Sequence, residues 1–279
     1  MTSPRSSYIN AAGYELHVTE WGDRTNPALV MWHGLARNGR DFDEAANRLA
    51  ERYFVLCPDT IGRGLSSWAR DRQNDYAFPV YCATALGMLD HYGIEKLRWL
   101  GTSMGGLLGV TLAGGTLRKR ITHLVINDIG PDIPPEAAAR IASYVGKPPS
   151  FDTMTELEAW YRKSYAPFGD NSDSFWRRLT ETSARRADNG KLTVHYDPAI
   201  VSQFTDHADD LNAWPAFDAV TAKTLVLRGA DSDVLPRAVA DEMQRRGPRP
   251  RVEEFSGFGH APTLASEREL EVVRRFLAE

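Results

Sequence analysis

The sequence predicts an α/β fold: a mostly parallel sheet of the eight-stranded type, with helices on both faces and a helical cap inserted between two core strands. Three observations carry this. Short apolar runs ending in Gly, Asp or Pro alternate with longer stretches of helical period. The runs in the body of the chain are continuous, as in strands buried on both faces, and not alternating. One interval, from Gly130 to about Asp218, breaks the rhythm with helical segments and Pro-rich punctuation.

Taken in order, Tyr14 to Glu20 alternates and reads as an early edge strand. Ala28 to Trp32, Tyr53 to Cys57 and Leu97 to Leu100 are of the doubly buried kind, and Thr122 to Ile126, Thr224 to Leu227 and Arg251 to Phe255 complete the set. Amphipathic stretches at Asp41 to Arg52, Val80 to Tyr92, Ser103 to Leu117, Ala238 to Arg246 and Glu267 to Leu277 are long enough for right-handed crossovers. The expected organisation is a core of residues 1–130 and 219–279 with a cap of 131–218. That interval holds 12 of the 28 aromatic residues, enough for a small core of its own and for an apolar underside facing a pocket.

Composition narrows the function. With 279 residues and 42% hydrophobic side chains, the chain can bury one large core. The 33 basic and 37 acidic side chains leave a net charge of −4, which gives no reason to expect nucleic acid. The N-terminus is polar, and no apolar run approaches the ~18 residues of a membrane span, so the expectation is a cytoplasmic protein with no membrane contact. Cys57 and Cys82 both fall in apolar patterns, as small core residues do. No pair of His has ligand spacing, so neither metal nor other cofactor is expected. Oligomeric state has no signature here.

The strongest chemical signal is Gly101-Thr102-Ser103-Met104-Gly105-Gly106, directly after one buried strand and directly before a helix rich in Leu and Gly. A strand-to-helix turn this tight holds its central residue with a strained backbone, and the residues two before and two after must lack colliding side chains. Gly101 and Gly105 meet that need. The turn also aims a helix N-terminus at the serine, where exposed N–H groups favour a developing oxyanion.

With His33-Gly34-Leu35 after the strand Ala28 to Trp32, the run Asp59 to Ser66, this Ser103 turn and the late Gly259-His260, the chain resembles the α/β-hydrolase superfamily, in its capped serine esterase type, over nearly its whole length. The resemblance implies that the backbone N–H groups of Leu35 and Met104 form the oxyanion hole, and that His33 and residues 59–66 support loops beside the site. It also implies His260 as general base, because that is the histidine that follows the last strand. The other six lie in strands, at a helix end, in the oxyanion loop or inside the cap. The acid departs from the usual pattern: three residues past Gly229 stands Ser232, flanked by Asp231 and Asp233. Some members of the family carry the acid after the preceding strand, where this chain has Asp128. Asp128 is the first choice and Asp233 the second.

A catalytic set of Ser103, Asp128 and His260 predicts hydrolysis of a small, largely apolar carboxylic ester through an acyl-serine. Carbon–carbon bond hydrolysis, and lactonase or thioesterase activity, use the same machinery. A non-catalytic small-molecule receptor of the same fold is the alternative from a different class.

Overall fold

The computed structural model describes residues 3–279. In chain order its elements are β1 (Arg5–Ala11), β2 (Tyr14–Trp21), β3 (Ala28–Trp32), α1 (Asp43–Leu49), β4 (Phe54–Pro58), α2 (Phe78–His91), β5 (Leu97–Thr102), α3 (Met104–Gly114) and β6 (Ile121–Asn127). There follow α4 (Pro135–Val145), α5 (Met154–Ser164), α6 (Asp173–Ser183), β7 (Ala184–Arg186), β8 (Leu192–Val194), α7 (Ser202–Thr205) and α8 (Trp214–Ala219). The chain ends with β9 (Lys223–Gly229), α9 (Arg237–Met243), β10 (Arg251–Phe255) and α10 (Glu267–Leu277).

Eight strands form one sheet in the order β1-β2-β4-β3-β5-β6-β9-β10. The β1–β2 and β2–β4 pairs are antiparallel and all later pairs parallel, as expected where helices supply the crossovers. Successive residues of the inner strands serve two cores. Val30 and Trp32 face the core that contains Tyr81 and Leu107, while Leu29 and Met31 face the one that contains Leu49 and Phe276. This two-sided burial is why the inner strands are apolar throughout. Among the described residues, no helix is long and apolar enough to cross a membrane.

Two expectations need correction. Tyr14–Trp21 is not the edge of the sheet, because β1 pairs along its whole length through a two-residue turn at Ala12 and Gly13, both at positive φ. Ile9 and Ala11 are buried, whereas the other side chains of β1 are polar or exposed, which hid the strand. The interval 131–218 also contains strands: β7 and β8 form a hairpin of their own, separate from the main sheet. Asn189-Gly190, with Gly190 at φ +80°, supplies its turn signal. The other regular elements of the interval are helices, joined by turns and loops.

Strand register positions the site. Trp32 lies beside Gly101, Thr102 beside Asn127, and Asn127 beside Leu227. The residues that follow β3, β5, β6 and β9 therefore emerge along one carboxyl edge of the sheet, where open α/β sheets gather their ligands.

Candidate active site

Ser103 sits between β5 and α3 at φ +52°, ψ −119°, a backbone conformation that costs a non-glycine residue roughly 1–3 kcal/mol. The glycines on either side are forced. A Cβ at Gly101 would stand 2.0 Å from the Gly105 carbonyl oxygen, and one at Gly105 would stand 2.1 Å from that of Trp32. Ser103 N–H donates to the Asn127 carbonyl at 2.9 Å, which ties the turn to β6.

His260, in the loop between β10 and α10, lies with Nε2 2.9 Å from Ser103 Oγ and Nδ1 2.8 Å from Asp128 Oδ2. Asp128 follows β6 in a left-handed conformation, φ +59°, which Asp tolerates better than most residues. It is fully buried. Its Oδ1 accepts from Gly229 N–H at 2.8 Å, and its Oδ2 also accepts from the Ser232 hydroxyl at 2.6 Å. The side chain at the register position where the common pattern has its acid thus holds Asp128, a contact the sequence reading missed. Asp233 is half-exposed and forms a two-pronged ion pair with Arg140, at 2.7 and 2.9 Å. Asn127 donates to Thr102 Oγ1 at 3.0 Å and to the Pro262 carbonyl at 2.9 Å, fastening the histidine loop to the sheet.

Leu35 and Met104 flank the serine from two loops. Met104 opens α3, so its N–H has no acceptor within the helix. Gly34 packs so close that a Cβ there would lie 3.5 Å from that of Ser103. Arg63, fully buried, grips both loops: Nε donates to the Leu35 carbonyl at 2.8 Å, Nη1 to Tyr81, and Nη2 approaches Met104 Sδ at 3.7 Å. Its only sequence signal was its place in the Asp59 to Ser66 run.

His33 fixes the same loop from behind. Nδ1 donates to the Gly34 carbonyl at 2.7 Å, while Nε2 accepts from Thr60 N–H at 2.9 Å. Burial lowers its pKa to about 4, so the ring is neutral in the folded protein. The unfolded chain takes up a proton below the ordinary value near 6.5 that the folded one refuses, so stability falls as pH drops from 6.5 towards 4. We expect about 2 kcal/mol of lost stability between pH 7 and pH 5 from this group. Urea unfolding at both pH values checks it: His33→Gln should lessen the difference by about that amount, and an equal difference in both proteins would refute the assignment.

A second Ser–His–Asp contact shows what sets Ser103 apart. His17 places Nδ1 2.9 Å from Asp59 and Nε2 2.5 Å from Ser6 Oγ. Burial opposes the Asp59 charge, but His17 and the Leu65 N–H still hold its carboxyl below the usual range. Ser6, however, lies within the edge strand β1, with neither a strained turn nor a helix start at its hydroxyl. That trio anchors the loop after β4, and Asp59 ties the same loop to the segment after β3 by accepting from Gly39 N–H.

Over Ser103 is a cavity of about 80 Å³, bounded by Leu35, Ser103 and His260 on the sheet side and by Ile141, Tyr144 and Tyr165 from the interval after β6. Phe168 lines it too, whereas Trp160, Tyr161 and Trp176 pack within the interval. Among the described residues, no group of three or more His, Cys, Asp or Glu is placed to hold a metal ion.

The model of the alpha/beta hydrolase fold family matches residues 27–264. The chain belongs to that family. The hydrolase is 37% identical to a 3-hydroxybutyrate-oligomer hydrolase of Cupriavidus necator, over 98% of each chain. It is 24% identical to a 2-hydroxymuconate semialdehyde hydrolase of Pseudomonas putida, over 97% of this chain and 93% of that one. Among solved structures, an alpha/beta hydrolase from Novosphingobium aromaticivorans superposes with a TM-score of 0.89 at 33% identity, covering 100% of this chain and 99% of that one.

Proposed function

We propose that the protein is a serine hydrolase of short carboxylic esters, with Ser103 as nucleophile, His260 as general base and Asp128 as the supporting acid. The hydrogen-bonded line Ser103–His260–Asp128, ending on a strained serine at a helix start, carries this reading. His260 Nε2 takes the Ser103 proton as Oγ attacks the acyl carbon, and the carbonyl oxygen becomes an oxyanion facing the N–H groups of Leu35 and Met104. Asp128 fixes the ring so that Nδ1 carries the proton and Nε2 is free to accept. As the tetrahedral intermediate collapses, the imidazolium returns its proton to the leaving alkoxide. Water, activated by the same imidazole, then releases the acid and restores the serine.

The similarity to a hydrolase of 3-hydroxybutyrate oligomers supports an ester, since a hydroxy acid condenses with itself through ester bonds. Carbon–carbon, lactone and thioester hydrolysis would use the same three side chains, so turnover of the respective substrates decides among them. A receptor has no use for a nucleophile held in strain, and such strain is characteristic of functional sites.

In this reading residues 131–218 form a cap over a core of 1–130 and 219–279, with Tyr144, Tyr165 and Phe168 as the roof of the acyl pocket. The cavity of about 80 Å³ offers roughly six water-sized positions, enough for a short acyl group. Across p-nitrophenyl esters from acetate to decanoate, kcat/KM should peak at about four carbons and fall at least tenfold by decanoate. No ester turnover at all would overturn the reading, and a profile rising to decanoate would remove the short-acyl assignment.

A further inference from the structure

The lining of the cavity over Ser103 contains two guanidinium groups and one carboxylate. Arg37, Asp41 and Arg140 line it. Arg37 and Asp41 cancel inside it, because the Arg37 guanidinium meets the Asp41 carboxylate through Nε at 2.8 Å and Nη2 at 2.6 Å. Arg140 differs. Its partner Asp233 stands outside the lining and is half-exposed, so water screens that pair and its net worth is small. Asp233 holds Nε and Nη2 of Arg140, which orients the fork and leaves Nη1 outside the pair. On α4, Arg140, Ile141 and Tyr144 present one continuous face to the cavity, cationic at one end and apolar along the rest. Among the described residues, Arg140 is the lining guanidinium whose carboxylate partner is not itself in the lining.

We propose that Arg140 is a carboxylate subsite, and that the substrates are esters whose leaving alcohol is a hydroxy acid with a free carboxylate. The proposal rests on the ester-hydrolase reading above and adds which end of the ester is recognised. In this arrangement the acyl part occupies the space over Ser103 and the leaving part runs towards solvent along Arg140, which is half-exposed in the same lining. Nη1, which lies outside the Asp233 pair, donates charge-assisted hydrogen bonds to a carboxylate there. The carboxylate takes no part in bond changes. The acyl–oxygen bond breaks, His260 returns the proton to the leaving oxygen, and the hydroxy acid departs with its charge unaltered.

The test compares kcat/KM for the linear dimer of 3-hydroxybutyrate as free acid and as methyl ester, with p-nitrophenyl butyrate as a third substrate. The wild type should favour the free acid. Arg140→Gln should lower the ratio of free acid to methyl ester at least tenfold, mainly through KM for the acid, and Arg140→Lys should recover part of it. Asp233→Asn should raise the ratio by removing the competing carboxylate. As a readout independent of turnover, the free-acid dimer should bind Ser103→Ala more tightly than it binds the Ser103→Ala, Arg140→Gln double variant in calorimetry. Turnover of p-nitrophenyl butyrate with no preference for the free acid, or a ratio unmoved by Arg140→Gln, overturns the carboxylate subsite alone. Failure of all three esters overturns the ester-hydrolase reading instead.

Discussion

Ser103→Ala should lower kcat for ester hydrolysis by about 10⁶ while leaving the fold intact, because it removes the proposed nucleophile and with it the whole covalent route. The substitution deletes one oxygen and retains the Cβ. The Ser103 hydroxyl bonds to His260, whereas the turn itself is held by backbone contacts, from Ser103 N–H to Asn127 and from Gly106 and Leu107 N–H to the Ser103 carbonyl. Circular dichroism and the urea midpoint should therefore stay near wild type. An unchanged spectrum together with near wild-type turnover would show that another group performs the attack.

Asp128→Asn should lower kcat by about 10³ to 10⁴. Two consequences combine. The imidazolium that forms in the attack loses its negative partner, and an amide at this position can present its NH₂ to Nδ1 and favour the wrong tautomer. The neighbours add a penalty, because Oδ1 accepts from Gly229 N–H and Oδ2 from Ser232. A carboxylate satisfies all three donors, whereas the single carbonyl oxygen of Asn cannot. Asp233→Asn, by contrast, should change kcat on p-nitrophenyl butyrate by less than about tenfold, since Asp233 faces Arg140. Steady-state kinetics on that ester, with the two variants side by side, separates these expectations. An equal loss in both would contradict the separate placement of the two carboxylates.

The parts of this site that lie at strand ends could be read from the sequence, because each follows from a local pattern. Gly101 and Gly105 announce the strained turn, the apolar run ending at Ile126 places Asp128 just past β6, and the last strand leads to His260. Counting from Gly229 lands on Ser232, which is neutral, with Asp231 and Asp233 on either side. In the structure that serine supports the aspartate after β6, its hydroxyl donating to Asp128 Oδ2. What escaped the sequence was set by long-range packing. β1 shows little apolar pattern, since Ile9 and Ala11 are its only buried positions and the strand is specified by pairing with β2. Arg63 clasps Leu35 and Met104 from 28 and 41 residues away. Arg140 comes to line one cavity with Ser103 through the packing of α4, 37 residues further along the chain. The hairpin β7–β8 is a different case, since its Asn189-Gly190 turn was visible and its strands were too short to register as a period.

Ser103 should become covalently acylated during turnover. Rapid mixing with p-nitrophenyl butyrate, acid quench and intact-protein mass spectrometry measure this directly, provided that deacylation is slow enough for the adduct to accumulate, as low temperature favours. The wild type should gain the mass of one butyryl group, located by peptide mapping on the segment that contains Ser103, and Ser103→Ala should gain none. An adduct on another residue, or one that persists in Ser103→Ala, would contradict the assignment of Ser103 as nucleophile.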